Sequence, residues 1–461
     1  MSEALGWAAF VIGLVGTLVL MAERGYRDGM RLAWFLATLA VPGWFTVSFR
    51  SITLDAMTGV AFATLLTLAF RPFSGTRTAW VLSDLLVIAV VLAGVISDGV
   101  NRILIPGTVF ELVRPWVFPY VIGRLFLSSW DEMGRTLPAV VVLGTALSVF
   151  ALFEAVSHIN VLAVLSGKKW DVLELGEGYR WGLKRAQGIT NHPIYFGLLI
   201  SLTLPWLLMA GRAAMSRTAP RWWIAAAALA AAAAFVTVSR AAHVAVLIVF
   251  AADLYFRRPN YRVPMLLTIA AGALLFFVFR EQALDWLGAY AGESEATQER
   301  VRIYGEYYDY TGTRHRDLLY VAYQEAIDDA GWFGYGTTIA EMPKDPYMDQ
   351  RFLSIDHHYL LHYLRYGYLG MITFIAFAAA GAWNLAREAL ARDGPLSDLA
   401  AGLFGAFVAV VIVVRGVAFS PDFGATWIFV AGLAASMRAN RLARSRSFSP
   451  PQSAVVADAA A

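Results

Sequence analysis

Long apolar runs make up most of this chain, and short polar connections separate them. A helix needs about 20 apolar residues to cross about 30 Å of hydrocarbon. The alternation typical of membrane β-barrels is absent, so the runs predict helices, which satisfy their own backbone in a bilayer. The predicted spans number about thirteen and cover residues 4–22, 31–48, 53–70, 79–97, 109–128, 137–157, 193–211, 222–238, 240–256, 263–280, 358–384, 399–415 and 424–437. The pattern therefore predicts an all-α, polytopic transmembrane bundle of about 12–14 spans.

Two long polar segments, residues 158–192 and 281–356, interrupt these runs. Short loops rich in arginine, such as the one with Arg24, Arg27 and Arg31, fall on alternate connections. Because cationic loops resist translocation, they predict the cytoplasmic face. Both polar segments then lie together on the opposite face, periplasmic in a Gram-negative cell.

This topology divides the chain into six segments. No basic residue precedes the first apolar run, so we expect a retained helix rather than a signal peptide. Beyond residue 437 the chain becomes basic and then rich in Ser, Pro and Ala, which is typical of disorder. The predicted segments are N-terminal helices 1–157, a first outer loop 158–192, central helices 193–280, a large outer loop 281–356, C-terminal helices 357–437 and a disordered cytoplasmic tail 438–461.

Composition supports the membrane interpretation. Hydrophobic residues make up 58% of the chain and charged residues 15%, against about 25% charged in soluble domains. The net charge of +3 comes mainly from membrane-flanking loops, so nucleic acid is not an expected partner. The chain has no cysteine, which excludes thiol catalysis, iron–sulfur clusters and zinc sites with Cys ligands.

The first polar segment ends in RAQGITNHP, residues 185–193. Pro193 suits a helix start, and Asn191 is a residue type that caps one. Asn191 and His192 are therefore either a helix cap or contacts for a ligand. Arg185, beside a helix N-terminus, predicts an anion site.

Arg240, in TVSRAAH, lies between two apolar runs. A charge near membrane depth is costly unless it faces a cavity or partner, so Arg240 is a functional candidate. The alternative is a cap on a tight outer turn. His243 is expected to be a satisfied core histidine rather than a ligand.

The second polar segment contains RHRDLLYVAYQEAIDDAG, residues 314–331. Its spacing predicts an amphipathic helix that ends at Gly331. Arg314 and Arg316 at its start either hold phosphate or are simply solvated.

This segment runs into SIDHHYLLHYLRYGYLG, residues 354–370. Asp356, His357 and His358 form a constellation suited to general-base catalysis. His358 and His362 are spaced i, i+4 on one helical face. The HxxxH spacing lacks the Glu of a metalloprotease helix, so no metal site is expected.

In order and spacing, the four motifs between residues 180 and 370 resemble the O-antigen ligase/polymerase superfamily of bacterial membrane glycosyltransferases. The resemblance implies a GT-C-like fold in the inner membrane, with an active site facing the periplasm. It implies an undecaprenyl-pyrophosphate-linked oligosaccharide as donor, with no metal ion or other cofactor. Membrane lipid and other polysaccharide-export proteins are the further expected partners.

Carried over by position, Arg185, Arg240 and Arg316 look like the family's arginines that hold the donor pyrophosphate, with Arg314 beside them. Asp356 falls where lipopolysaccharide ligases have a functional His, which looks more like the polymerase branches.

The resemblance leaves the base open among Asp356, His357 and His358. It makes Asn191, His192, Tyr359 and His362 the candidate glycan contacts.

The expected function is therefore an extracytoplasmic polymerase of lipid-linked repeat units of an O-antigen, capsule or exopolysaccharide. Three alternatives stay open: an O-antigen ligase acting on lipid A core, a protein O-oligosaccharyltransferase, and a flippase or transporter for the same lipid-linked glycans.

Overall fold

The computed structural model describes residues 2–70, 79–127, 130–167, 178–180, 182–216, 218–279, 282, 299–310, 314–344, 349–392 and 394–447. These residues are mostly helical. The α-helices are α1 (Ser2–Arg24), α2 (Tyr26–Leu39), α3 (Ala56–Phe70), α4 (Leu82–Val100), α5 (Pro106–Phe126), α6 (Trp130–Ser157), α7 (Val161–Ser166), α8 (Pro193–Met215), α9 (Trp223–Phe235), α10 (Arg240–Arg257), α11 (Arg262–Val278), α12 (His315–Ala322), α13 (Gln324–Ala330), α14 (His358–Ala391), α15 (Pro395–Val413) and α16 (Pro421–Ser447).

Within the described ranges, the strands form three separate antiparallel pairs. They are β1 (Val47–Phe49) with β2 (Ile52–Leu54), β3 (Tyr179–Arg180) with β4 (Leu183–Lys184), and β5 (Glu299–Ile303) with β6 (Glu306–Tyr310). Each pair is a local hairpin on a helical framework, so the predicted helical fold class holds.

Among the described residues, seven helices are long and apolar enough to cross a membrane. They are Glu3–Arg24, Leu82–Val100, Met133–Ser157, Pro193–Met215, Pro259–Val278, His358–Ala391 and Pro395–Gly416. The chain is thus a multi-pass membrane protein. The other predicted spans correspond to shorter or more polar helices, such as α9, which has only 13 residues.

The predicted span 31–48 is wrong in its extent. Helix α2 ends at Leu39, and Pro42 and Gly43 follow before the β1–β2 hairpin. Proline lacks the N–H that would continue a helix. Helix α3 then begins at Ala56 rather than 53, and the Asp55 carboxylate accepts a hydrogen bond from the Thr58 N–H at 2.7 Å.

The tail prediction is also wrong for residues 438–447, which continue α16 as far as Ser447. Two contacts hold this extension on the bundle. The Arg441 guanidinium pairs with Glu388 at 2.6 Å, and the Asn440 side chain donates to the Leu127 carbonyl at 3.0 Å. Residues 448–461 lie outside the described part.

Helix α5 packs along α16 in the centre of the bundle. Two glycines allow this approach. A Cβ on Gly123 would lie 2.1 Å from the Phe429 carbonyl oxygen, and one on Gly432 would lie 2.1 Å from that of Tyr120. Small residues are the usual means of close helix packing in membranes.

The second polar segment forms a small core with the start of α14, in which Leu319, Phe352 and Leu364 are buried. The predicted helix 314–331 is two helices, α12 and α13, which meet at Tyr323. The Tyr323 hydroxyl donates to the Phe352 carbonyl at 2.6 Å. Gly331 ends α13 with a φ of +54°, as the sequence predicts.

Helix α14 has a kink at Gly367, whose φ is +61°. Residues 331–336 cross it there, with the Tyr335 N–H donating to the Leu364 carbonyl at 2.8 Å. A Cβ on Gly367 would lie 2.4 Å from the Trp332 carbonyl carbon. The kink therefore docks the second polar segment against the start of α14.

Candidate functional site

The loop that carries Arg185 is built on a buried carboxylate. Glu154, 2% exposed, lies at the end of α6, with its Oε1 3.3 Å from the Lys184 Nζ. Its Oε2 accepts hydrogen bonds from the Asn160 side chain at 3.1 Å and from the backbone N–H groups of residues 187–188 at 3.2 and 2.9 Å. Glu154 thus fixes the loop on both sides of Arg185.

Arg185 is buried and lies against the segment that leads into α10. Its Nε donates to the Thr237 carbonyl at 3.4 Å. The neighbouring Ala186 N–H donates to the Val236 carbonyl at 3.1 Å. Arg240 is partly buried and is the first residue of α10, three positions after Thr237. The structure therefore brings the Arg185 and Arg240 motifs together.

His243, one turn into α10, has a hydrogen-bond partner as predicted, but it is only half-buried rather than a core residue. Its Nε2 lies 3.0 Å from the Phe235 carbonyl oxygen, and its ring stacks on Phe235 with centroids 4.8 Å apart.

The N-cap of α8 is His192, not Asn191 as the sequence indicated. The His192 Nδ1 accepts a hydrogen bond from the Ile194 N–H at 3.1 Å. Asn191 instead contacts Asp422 at the start of α16, where its backbone N–H donates to Oδ2 at 2.9 Å and its side chain donates at 3.1 Å. Asn191 thus ties the first polar segment to the last helix.

His192 is neutral near pH 7. Burial, with the positive charges of Arg185 and Arg180 as smaller causes, lowers the pKa of His192 to about 4. Since its Nδ1 accepts a hydrogen bond, the neutral ring has its proton on Nε2. His192 can therefore donate a hydrogen bond to a ligand beside Arg185.

The other half of the site lies where α12, α14 and the α15–α16 connection meet. The Arg316 Nε donates to the Gly416 carbonyl at 2.9 Å. The Tyr320 hydroxyl lies 3.1 Å from the His357 Nε2. Arg415 is exposed and close enough to act electrostatically on both rings. Two guanidiniums thus flank a buried histidine.

His357 is the N-cap of α14, and its Nδ1 accepts a hydrogen bond from the Leu360 N–H at 3.2 Å. Burial, together with the nearby charges of Arg415 and Arg316, lowers the pKa of His357 to about 4. The neutral ring therefore has its proton on Nε2, directed at the Tyr320 oxygen. In this arrangement His357 is a hydrogen-bond donor, with no free basic nitrogen.

Asp356 and His358 lie in opposite environments. Asp356 is exposed, and Ser354 donates a hydrogen bond to its carboxylate at 2.9 Å. His358 is buried, and neither of its ring nitrogens has a hydrogen-bond partner among the described residues. Its ring centroid lies 5.0 Å from that of Phe374 and 5.3 Å from that of His362, which confirms that the two histidines share a face.

The three remaining candidates lie on α14 and just before α12. The His362 Nε2 lies 3.2 Å from the Gly370 carbonyl oxygen across the kink. The Tyr359 hydroxyl donates to the Val411 carbonyl at 2.5 Å. Arg314 is exposed just before α12, and its carbonyl accepts the Leu318 N–H at 3.0 Å.

A chain of aromatic rings connects the two halves at one end of the bundle. His192 lies 5.3 Å from Tyr195, Tyr195 lies 5.6 Å from Phe423, Phe423 lies 5.3 Å from Phe419, and Phe419 lies 5.2 Å from His358. The Tyr195 hydroxyl also experiences the negative charges of Asp356 and Asp422. These rings form an aromatic wall that links His192 of the first polar segment to His358 at the start of α14.

Sequence reasoning missed Glu154, Tyr320, Arg415 and Asp422. Arg415 had a detectable signal, since it ends the predicted span 399–415 at the outer face, where arginine is uncommon. Asp422 lies in the short predicted outer connection that follows. Glu154 also had a signal, since a carboxylate inside the predicted span 137–157 is costly unless it has a partner. The sequence did not show that this partner is Lys184.

The site has cationic and hydroxyl-bearing groups, and no group of three or more His, Asp or Glu side chains able to hold a metal ion occurs in the described part. Comparison with known proteins gives no match, either to a family model or to a curated protein. The fold and site define a multi-pass helical membrane protein with a polar, arginine-bearing centre at one end.

Proposed function

We propose that this protein is a metal-independent membrane glycosyltransferase of the polysaccharide polymerase type. It joins undecaprenyl-pyrophosphate-linked oligosaccharide repeat units in the bacterial inner membrane, with its site facing the periplasm. The observation that carries the proposal is the chain of aromatic rings that runs from His192, near Arg185, to His358, which follows His357 and the arginines that flank it. Asp356 is exposed at the His358 end of this chain. An anionic leaving group needs arginines to stabilise its charge, and an acceptor hydroxyl needs a carboxylate to take its proton.

In the proposed reaction, an acceptor sugar hydroxyl attacks the anomeric carbon of the donor. The new glycosidic C–O bond forms as the bond between that carbon and the phosphate oxygen breaks, and undecaprenyl pyrophosphate leaves. Arg185, Arg240 and Arg316 stabilise the negative charge of the leaving group. Preorganised cations stabilise this charge without having to reorganise during the reaction.

Asp356 is the proposed base that takes the hydroxyl proton. Its carboxylate is exposed, whereas His358 is enclosed by aromatic rings. His357 is occupied at Nδ1 by the Leu360 N–H. His357 therefore acts as a donor that orients Tyr320.

The test uses purified protein in lipid nanodiscs supplied with native undecaprenyl-pyrophosphate repeat units. Released carrier and glycan size are followed together. We expect a ladder that grows by whole repeat units, and loss of both carrier release and ladder in Arg240→Ala and Asp356→Asn. Asp309→Asn is the matched control, because its side chain is 59% exposed on β6.

Other outcomes separate the alternatives. Carrier release that needs added lipid A core, with one transfer per acceptor, would make the protein a ligase. Release that needs an acceptor polypeptide would make it a protein O-oligosaccharyltransferase. No release under any of these conditions favours a transporter, and full activity of Arg240→Ala would remove Arg240 from the donor site.

A further inference from the structure

A cavity of about 320 Å³ lies between the α2–β1 connection and the start of α16. Its volume is at the lower end of the range of about 300–1,000 Å³ for small-molecule sites. The lining includes Trp44, Asp55, Arg114, Asn191 and Asp422. None of these except Asn191 figures among the sequence-predicted site residues.

The charged groups of this cavity do not favour an anion. Arg114 is already engaged by two carboxylates, Asp55 at 2.9 Å and Glu111 at 2.9 Å. Of the lining residues named above, Arg114 has one positive charge, and Asp55 and Asp422 have one negative charge each. The net formal charge of these residues is therefore −1. A diphosphate would be repelled here, in contrast to the arginine-bearing site.

The same lining suits a neutral polyhydroxylated ligand. Carboxylates accept hydrogen bonds from hydroxyl groups, and the Asn191 amide can both accept and donate them. Trp44 adds an indole that packs against apolar C–H surface, and its Nε1 donates to the Ser166 hydroxyl at 3.2 Å. The indole is therefore held at one edge while it lines the cavity.

Backbone geometry keeps the cavity and the candidate site in contact. The Gly43 N–H donates to the Ile189 carbonyl at 2.7 Å. A Cβ on Gly43 would lie only 2.0 Å from the Asp422 Oδ1. Asp422 in turn binds Asn191, next to His192. The absence of a side chain at residue 43 thus lets the α2–β1 connection close on the site.

We propose that this cavity binds a neutral sugar unit of a glycan through Trp44 and Asp422. In the proposed polymerase this sugar unit belongs to the acceptor chain. The assignment to the acceptor chain rests on the proposed function. The arginine-bearing site then binds the donor diphosphate. The donor and the acceptor therefore have separate sites, one positively charged and one negatively charged.

The probe is the repeat-unit oligosaccharide released from its carrier by mild acid, free of diphosphate and labelled at its reducing end. Binding to the protein in nanodiscs is measured without donor. We expect Trp44→Ala and Asp422→Asn to weaken oligosaccharide binding tenfold or more. Arg240→Ala is expected to leave it unchanged, and inorganic pyrophosphate is expected not to compete.

Trp332→Ala is the matched control, since that indole is 61% exposed in the second polar segment. Asp422→Asn keeps the side-chain volume, so it decides the question if Trp44→Ala fails to fold. Equal oligosaccharide affinity in wild type, Asp422→Asn and Trp332→Ala would overturn the proposal, as would no binding by the wild type at millimolar probe. Binding that depends on Asp422 without any carrier release would retain this site and refute the polymerase.

Discussion

Replacing Glu154 with alanine is expected to release the loop that carries Arg185. The carboxylate is 2% exposed and its partner Lys184 is 3% exposed, so the substitution leaves a buried ammonium without its counter-charge. Removing one partner of a buried ion pair costs about 3–5 kcal/mol. The lost hydrogen bonds from Asn160 and from residues 187–188 add to that cost.

A cost of this size raises the open population of the loop on the order of 10²- to 10⁴-fold. Limited trypsin digestion reports that population directly, because cleavage tracks the opened state when closing is fast. Cleavage after Lys184 and Arg185, mapped by mass spectrometry, should accelerate steeply in Glu154→Ala. The melting temperature should fall in parallel.

Two comparisons make the prediction specific. The pair Glu154→Gln with Lys184→Met removes both charges at similar volume, and we expect it to restore most of the protection. Asp309→Asn breaks an exposed pair with Arg300, whose side chains are 59% and 74% exposed, and should cost less than about 1 kcal/mol. Cleavage in Glu154→Ala no faster than in Asp309→Asn would refute the role of Glu154.

Two further predictions concern pH and the kink. Above about pH 6.5 the His357 ring is neutral in both folded and unfolded chains. As the pH falls from there toward its folded pKa of about 4, only the unfolded chain takes up the proton, so stability falls by up to about 1.4 kcal/mol per pH unit. The drop in melting temperature from pH 7 to pH 5 should therefore be smaller in His357→Gln, and an equal drop would contradict this. Gly367→Ala should lower the melting temperature, since the φ of Gly367 is +61° and the Trp332 backbone occupies the position of a Cβ. The control Gly272→Ala has open space around it and should leave the melting temperature unchanged. An unchanged melting temperature in Gly367→Ala would contradict the strained kink.

Some local features of the chain were predictable from the sequence. Pro193 at the start of α8 and Gly331 at the end of α13 appear where residue type alone placed them. The i, i+4 spacing of His358 and His362 guaranteed a shared face once that segment was helical. These features depend on neighbours within a few residues, which a sequence displays.

The extents of several elements were not predictable in this way. Residues 31–48 are apolar enough for a span, but the chain turns at Pro42 and pairs as a hairpin. Hydropathy does not tell whether an apolar residue faces lipid or the protein interior. Likewise, the basic sequence after residue 437 is typical of a tail, but it contacts Glu388 and Leu127, which are distant in sequence.

What the sequence determined by itself is the class of the protein and the residue types available for its chemistry. Apolar runs of membrane length produce a helical bundle because the backbone must satisfy itself in hydrocarbon. What only the tertiary structure decided is which of those residues meet. Asn191 binds Asp422, Arg316 binds the Gly416 carbonyl, and Glu154 faces Lys184. These contacts join segments 30 to 231 positions apart, and they follow from how the helices pack rather than from any local pattern.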